Sequence, residues 1–402
     1  MKKAIWAVLF VVLVALRFIL APNIVGYEVD VNFFNDWSKL LLKVGLINVY
    51  TSGEFMNYMP VYLYFLYAIG WLSKAFTLVP FETAHTILNK TPAILADLGL
   101  VWLAATACSA KYIAKFPNKT IMLMMLLCPA IAINSVFWGQ MDSIFMLALV
   151  TSIILLGRGK LEWSAVLFTT AALIKPQALI FAPLFLFVFW EAKSWKRLGF
   201  SAIYALATLL LICLPFSKTG LNITWIFEAI INTLGTYSLI SMNAFNTYFL
   251  VGLNWKQEIS PLWGVVKVLV PALLMAYTAF LYFKKKTNLF YLGFILSFGV
   301  FMLLPEMHER YSFPALICLY FAFASTGDKK LLPLLYTIVI TLFANCTWLL
   351  AYLKLGGGDW TLLGGWLNAH GKLLSGINLA AFVYGVCVLP WLKNSKNCPL
   401  QS

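Results

Sequence analysis

Apolar runs long enough to cross a bilayer recur from one end of this 402-residue chain to the other. A spanning helix needs about 20 apolar residues, and in lipid each backbone polar group must be satisfied within its own segment. The runs leave no room for a large soluble domain, so the chain is expected to form one all-α polytopic membrane body. Composition agrees. Hydrophobic residues make up 62% and charged residues 11%, with a mean hydropathy of +0.86, too little charge to cover a soluble surface. The run Ala4–Leu20 follows Lys2-Lys3 with no small-residue cleavage site behind it, and reads as a retained first helix.

The net charge of +14 does not point to nucleic acid, because the basic residues stand in short clusters between apolar runs, as in cytoplasmic loops. The clusters are Lys2-Lys3, Lys111/Lys115/Lys119, Arg158/Lys160, Lys193/Lys196/Arg197, Lys284–Lys286, Lys329-Lys330 and Lys393/Lys396. Placing all seven in the cytoplasm accounts for 17 of the 29 Lys and Arg residues, with only Glu162, Glu191 and Asp328 beside them. Both termini then lie in the cytoplasm. The seven cysteines show no CxxC spacing, so neither a disulfide framework nor a zinc site is expected.

One run breaks the alternation. If Tyr58–Leu78 crossed the membrane, the 111–119 cluster would fall outside. Its four tyrosines and Trp71 suit the headgroup zone. Parity is restored if it lies on the outer face, within a first outer loop of residues 23–88. The count is then about 12 spanning helices, with Phe227–Leu250 also suited to the interface and Gly356–Gly358 marking a turn.

With this orientation the unusual polar residues fall on one face. Glu28 and Asp30 follow the outer end of the first helix. Asp142 closes Trp138-Gly-Gln140-Met-Asp142, Lys175 opens Lys175-Pro-Gln177, and His308, Glu309, Arg310 and Tyr311 stand together in a later outer loop. Each has a plain alternative: a solvated loop acid for Asp30, a helix N-cap for Asp142, a snorkelling lysine for Lys175. Asp97 lies deep in a helix, where a charge needs a partner, and Arg17 is the other deep charge. Acids and cations at headgroup depth suit transfer of a sugar from a lipid phosphate. Cations meet the phosphate, Arg in bidentate fashion and Lys as a point charge, and a carboxylate takes the proton of the acceptor hydroxyl. A transporter or flippase of lipid-linked sugars is the alternative, and it would need more charge deep in the helices.

At these residues the sequence resembles the GT-C superfamily of membrane glycosyltransferases, and within it bacterial proteins related to the mannosyltransferases of glycosylphosphatidylinositol-anchor assembly. The resemblance is carried by Phe34-Asn-Asp-Trp37, Gly45 to Tyr50, Asn57-Tyr-Met-Pro60, Trp138-Gly-Gln-Met-Asp142-Ser, Lys175-Pro-Gln177 and Met307-His-Glu-Arg-Tyr311 with Phe313-Pro314. It covers residues 5–325. It implies a GT-C-like bundle, membrane-lying helices in the first outer loop, and inverting transfer of a hexose from a polyprenyl-phosphate donor to an acceptor hydroxyl. Mannose is the first expectation and glucose the second. The acceptor would be a lipid-linked or cell-surface glycan on the non-cytoplasmic side. The implied division is a catalytic module over 1–215 and variable C-terminal helices over 216–402, within one membrane-embedded domain. Asp30 is the implied base, with Glu28 two residues away as the other choice and Asp142 assisting. Lys175, His308 and Arg310 would hold the donor phosphate, and Gln140, Gln177, Glu309 and Tyr311 would contact substrate. Asp142 binds a metal in some branches of the superfamily and none in others, which leaves a divalent metal open.

Overall fold

The computed structural model describes residues 2–106, 118–218, 223–234, 238–285, 287–354 and 361–388. Lys111, Lys115, Lys286, Gly356–Gly358, Lys393 and Lys396, which entered the orientation argument, lie outside the described residues. The chain runs through α1 (Lys2–Leu20), α2 (Glu28–Val44), α3 (Pro60–Ala75), α4 (Phe81–Thr106), α5 (Asn118–Leu126) and α6 (Pro129–Ala132), the last continued by a π-helical turn to Trp138. There follow α7 (Asp142–Gly157), α8 (Leu161–Ile174), α9 (Ala182–Ala192), α10 (Trp195–Cys213), α11 (Trp225–Leu234) and a short α12 (Thr247–Leu250). The last helices are α13 (Leu262–Lys285), α14 (Leu289–Leu303), α15 (Phe313–Thr326), α16 (Leu332–Lys354) and α17 (Thr361–Val383). Two two-residue strands, β1 (Ser241–Met242) and β2 (Met307–His308), pair in parallel.

The burial pattern is that of a membrane protein. Every residue of α14 from Leu289 to Met302, and of α15 from Phe313 to Ser325, is buried, as expected of helices apolar on all sides. By contrast α10 buries only Ser201 and Cys213, and α13 only Leu274, Thr278, Leu281 and Tyr282. Their apolar faces look outward, where only lipid makes such exposure favourable. Among the described residues, four helices are long and apolar enough to cross a bilayer: α4, α10 with the turn after it, α13 and α16. The number rises to six if two bent pairs each count as one. Five further apolar helices of 10–17 residues are shorter.

The segment between α1 and α4 holds two helices. After α1 the axis turns by 89° into α2, so Glu28 and Asp30 stand in the first turn of a helix rather than in a loop. The turn is made by Pro22 and by Gly26, whose φ of +104° favours glycine. A Cβ there would lie 2.7 Å from the carbonyl oxygen of Trp138, so the corner rests directly on that backbone. Lys90 of α4, buried, donates to the carbonyls of Ala21 (2.7 Å) and Ile24 on the same corner. The second helix, α3, occupies most of the run that broke the alternation.

Deeper in the bundle the two lone charges meet. Arg17 pairs with Asp97 at 2.7 Å and donates to the Leu126 carbonyl at 3.0 Å, and Ser135 and Ser143 donate to the Asp97 carboxylate. Both charged side chains are buried, so these groups close on each other instead of lining a passage.

Candidate functional site

Three interruptions of helix bring the polar residues together. The corner between α1 and α2 presents Asp30. The π-helical turn ends at Gly139, φ +83°, where a Cβ would lie 3.0 Å from Lys90 Cγ, and the chain re-enters helix at Asp142. Lys175 ends α8 in an extended conformation (φ −148°, ψ 120°), as the following Pro176 requires.

Asp30, Lys175, His308, Glu309, Arg310 and Tyr311 line one cavity of about 360 Å³, together with Tyr58, Asn243, Trp255 and Glu306. Trp138 Nε1 donates to Asp30 Oδ2 at 2.8 Å and Gln140 Nε2 donates to the same oxygen at 2.6 Å. Oδ1 has no hydrogen-bond partner among the described residues. The carboxylate is thus fixed by one oxygen while the other stays available as a proton acceptor. Glu28 is exposed and does not line the cavity.

Asp142 is buried behind the cavity wall. It sits one residue inside α7, after the capping position of Met141, and makes no N-cap hydrogen bond. Its Oδ1 instead pairs with Lys175 Nζ, and Oδ2 accepts from Asn134 Nδ2 at 2.9 Å with Arg310 Nε 4.0 Å away. Lys175 is therefore anchored by an ion pair rather than snorkelling, and its Nζ lies 5.0 Å from the Tyr311 ring centre. Arg310 donates to Glu309 Oε1 at 2.7 Å, and its guanidinium lies 5.0 Å from the Trp138 ring. Its buried Nε has no hydrogen-bond partner among the described residues. Gln177 reaches the Tyr311 carbonyl at 3.5 Å. Gln140 and Gln177 thus support lining residues without lining the cavity themselves.

The charges are strongly coupled. Burial works against the Arg310 cation, but Glu309, Asp30 and Asp142 hold its pKa well above the usual arginine value. Burial likewise opposes the Glu309 anion, yet His308 and Arg310 hold that carboxyl below the ordinary glutamate value. Tyr58 is pushed well up, by burial first and Asp30 second, and stays a hydroxyl donor. A divalent metal at Asp142 does not fit this arrangement. Both of its oxygens are engaged, and among the described residues no group of three or more His, Cys, Asp or Glu is placed to hold a metal ion.

The sequence reading gave no role to Trp138, Asn134, Lys90, Asn243 or Trp255. Lys90 carried a signal, as a lysine within an apolar helix that needs a partner. Trp138 carried one in its place beside Gly139 and Gln140. Asn243 and Trp255 carried none, since a polar loop residue looks alike whether it faces solvent or a cavity.

Among curated proteins none matches the chain significantly. The profile of glycosyltransferase family 87 matches residues 58–305. The matched stretch contains Tyr58, the Trp138–Asp142 turn, Lys175 and the 238–258 loop, while Asp30 and His308–Tyr311 flank it. On a match covering more than half its length, this chain belongs to glycosyltransferase family 87, one of the GT-C-like families of membrane glycosyltransferases.

Proposed function

We propose that this glycosyltransferase moves a hexose from a polyprenyl-phosphate donor to an acceptor hydroxyl on the non-cytoplasmic face, inverting the anomeric carbon. The observation that carries the proposal is the Asp30 carboxylate, held through Oδ2 alone in a cavity that Lys175 and Arg310 also line. The acceptor oxygen attacks the anomeric carbon and its proton passes to Asp30 Oδ1. The bond from that carbon to the phosphate oxygen breaks, and its electron pair leaves with the lipid phosphate. Lys175 and Arg310 stabilise the departing anion, and Arg310 Nε, buried without a hydrogen-bond partner among the described residues, has a donor to spare for it. His308 adds a third group at the phosphate, and Asp142 positions Lys175. Mannose is the favoured sugar and glucose the second.

The membrane arrangement belongs to the same proposal. Twelve crossings follow if the four long helices, α1, the bent α5–α6 pair, the five shorter apolar helices and α17 all cross, leaving α2, α3 and α11 at the interface. At ~1.5 Å per residue a 14-residue helix reaches only ~21 Å, short of the ~30 Å hydrocarbon core. Short helices around α7, α8, α14 and α15 therefore suit a site sunk below the headgroups, where a lipid phosphate can enter.

The test is transfer by the purified full chain in liposomes, offered a panel of polyprenyl-phosphate sugars with membrane-lipid and glycan acceptors. Consumption of one donor with a matching glycosylated product is expected. Movement of intact donor between leaflets with no product would favour the transporter.

A further inference from the structure

We infer that Trp255 is the platform of a pyranose subsite: a hexose ring stacks on its indole, with the Asn243 side-chain amide meeting a ring hydroxyl. The inference rests on the glycosyltransferase reading above and adds a residue on which that reading does not depend. Trp255 lines the catalytic cavity, yet 57% of its surface is exposed. Burial therefore stabilises it little, and its backbone is costly. Its φ is +59°, a left-handed conformation unfavourable for a bulky residue.

The fold holds it there. Its backbone N–H donates to the Ser241 carbonyl at 2.9 Å and its indole N–H to Asn243 Oδ1 at 2.7 Å. Asn243 is left-handed too, φ +62°, and its carbonyl accepts from Asn345 Nδ2 at 2.7 Å. Glu306, φ +63°, is fixed by Lys267 at 2.8 Å. Among the described residues four non-glycine positions have positive φ, and three of them line this cavity. The fourth, Lys193, merely ends α9. Strain concentrated at one cavity marks a surface shaped for a ligand.

The chemistry selects the ligand. The indole face is negative and the C–H face of a pyranose is weakly positive, so the two stack while the hydroxyls project sideways. Asn243 is only 5% exposed, lines the cavity, and its Nδ2 has no hydrogen-bond partner among the described residues. That donor opens on the cavity and is placed to meet a sugar hydroxyl. A tryptophan serving only as a headgroup anchor would direct its indole N–H outward to the interface. This one donates it to Asn243 within the cavity wall.

The experiment compares wild type with Trp255→Ala and Trp255→Phe, as the full chain in lipid nanodiscs. It measures the affinity for polyprenyl-phosphate hexose, the affinity for polyprenyl phosphate alone, and acceptor KM. Trp255→Ala should leave polyprenyl phosphate binding unchanged. It should weaken one sugar-dependent quantity roughly tenfold to a hundredfold, and Trp255→Phe should recover much of the loss. A change in donor affinity assigns the subsite to the donor sugar, and a change in acceptor KM assigns it to the acceptor. Values within twofold of wild type on both would overturn the subsite while leaving transfer intact. An equal loss of polyprenyl phosphate affinity would also overturn it, because the damage would then not depend on a sugar. Wild type that binds no polyprenyl-phosphate hexose would overturn the subsite and the proposed function together.

Discussion

Replacing Asp30 by Asn is unusually clean in this structure. Trp138 and Gln140 both donate to Oδ2 and nothing described donates to Oδ1. An asparagine can therefore turn its carbonyl oxygen toward both donors and place its NH2 where Oδ1 stood. Both hydrogen bonds survive in neutral form, and Arg310 loses one of the three carboxylates that favour its charge, so thermal stability should fall by no more than about 1–2 kcal/mol. What disappears is the lone pair that takes the acceptor proton. General-base catalysis contributes about 10²–10⁴ in rate, or roughly 2.7–5.5 kcal/mol, and kcat should fall by that factor. Donor affinity should change little, because the phosphate contacts are proposed to come from Lys175 and Arg310. Trp138→Phe provides the contrast: it keeps a ring beneath Arg310 and removes one hydrogen bond to a carboxylate, worth about 1.5–3 kcal/mol. Its loss should be smaller than that of Asp30→Asn. The assay is single-turnover transfer from labelled donor, paired with equilibrium donor binding. Near-normal kcat in Asp30→Asn, with collapse in Glu28→Gln, would move the base to the exposed Glu28 and refute the reasoning from the free oxygen.

Four other outcomes are expected. Lys175→Ala and Arg310→Ala should each reduce donor affinity or turnover by roughly tenfold to a thousandfold, and the double variant should lose less than the sum if both meet one phosphate. Wild-type values in both would remove them from donor binding. Arg17→Met leaves the buried Asp97 carboxylate without its cation and should cost about 3–5 kcal/mol in unfolding experiments, most of it recovered in Arg17→Met/Asp97→Asn. The Glu309 carboxyl is held below the ordinary value of about 4.3, so its stabilisation is present above that value and disappears as pH falls through the depressed one. The difference in Tm between wild type and Glu309→Gln should accordingly stay constant from pH 7 to about 5 and shrink only in stronger acid. Finally, Lys285→Cys and Lys329→Cys should resist a membrane-impermeant thiol reagent in intact cells, and labelling of either from outside would reverse the proposed orientation.

The sequence made the membrane class legible because hydropathy and length are one-dimensional properties. It also made most of the site legible, since Asp30, Lys175, His308, Glu309, Arg310 and Tyr311 are polar groups between apolar runs and the structure gathers them around one cavity. The division of labour was harder to read. Asp142 reads in sequence as a catalytic acid or a cap, and only the approach of α8 to α7 turns it into the partner of Lys175. Glu28 and Asp30 are near-equal in sequence, but two residues on a helix differ by about 200° in direction, enough to expose one and bring the other to the cavity. The helical character of 28–44 was hidden because polar residues interrupt its apolar pattern. The strained positions at Asn243, Trp255 and Glu306 depend on distant hydrogen bonds and leave no local trace.

The pairing of β1 with β2 carries a consequence for biosynthesis. The site joins Asp30 near the start of the chain to Arg310, with Trp138 touching both and the 238–258 loop fixed to the His308 segment. A nascent chain inserted helix by helix therefore holds no complete cavity until α14 has entered and the segment leading into α15 has left the translocation machinery. Until then α2 and α3 can dock and Asp30 can find its two donors, but Arg310 is absent. On the proposed mechanism, activity should begin late in synthesis, and chains truncated before that point should be inert at the membrane rather than partly active.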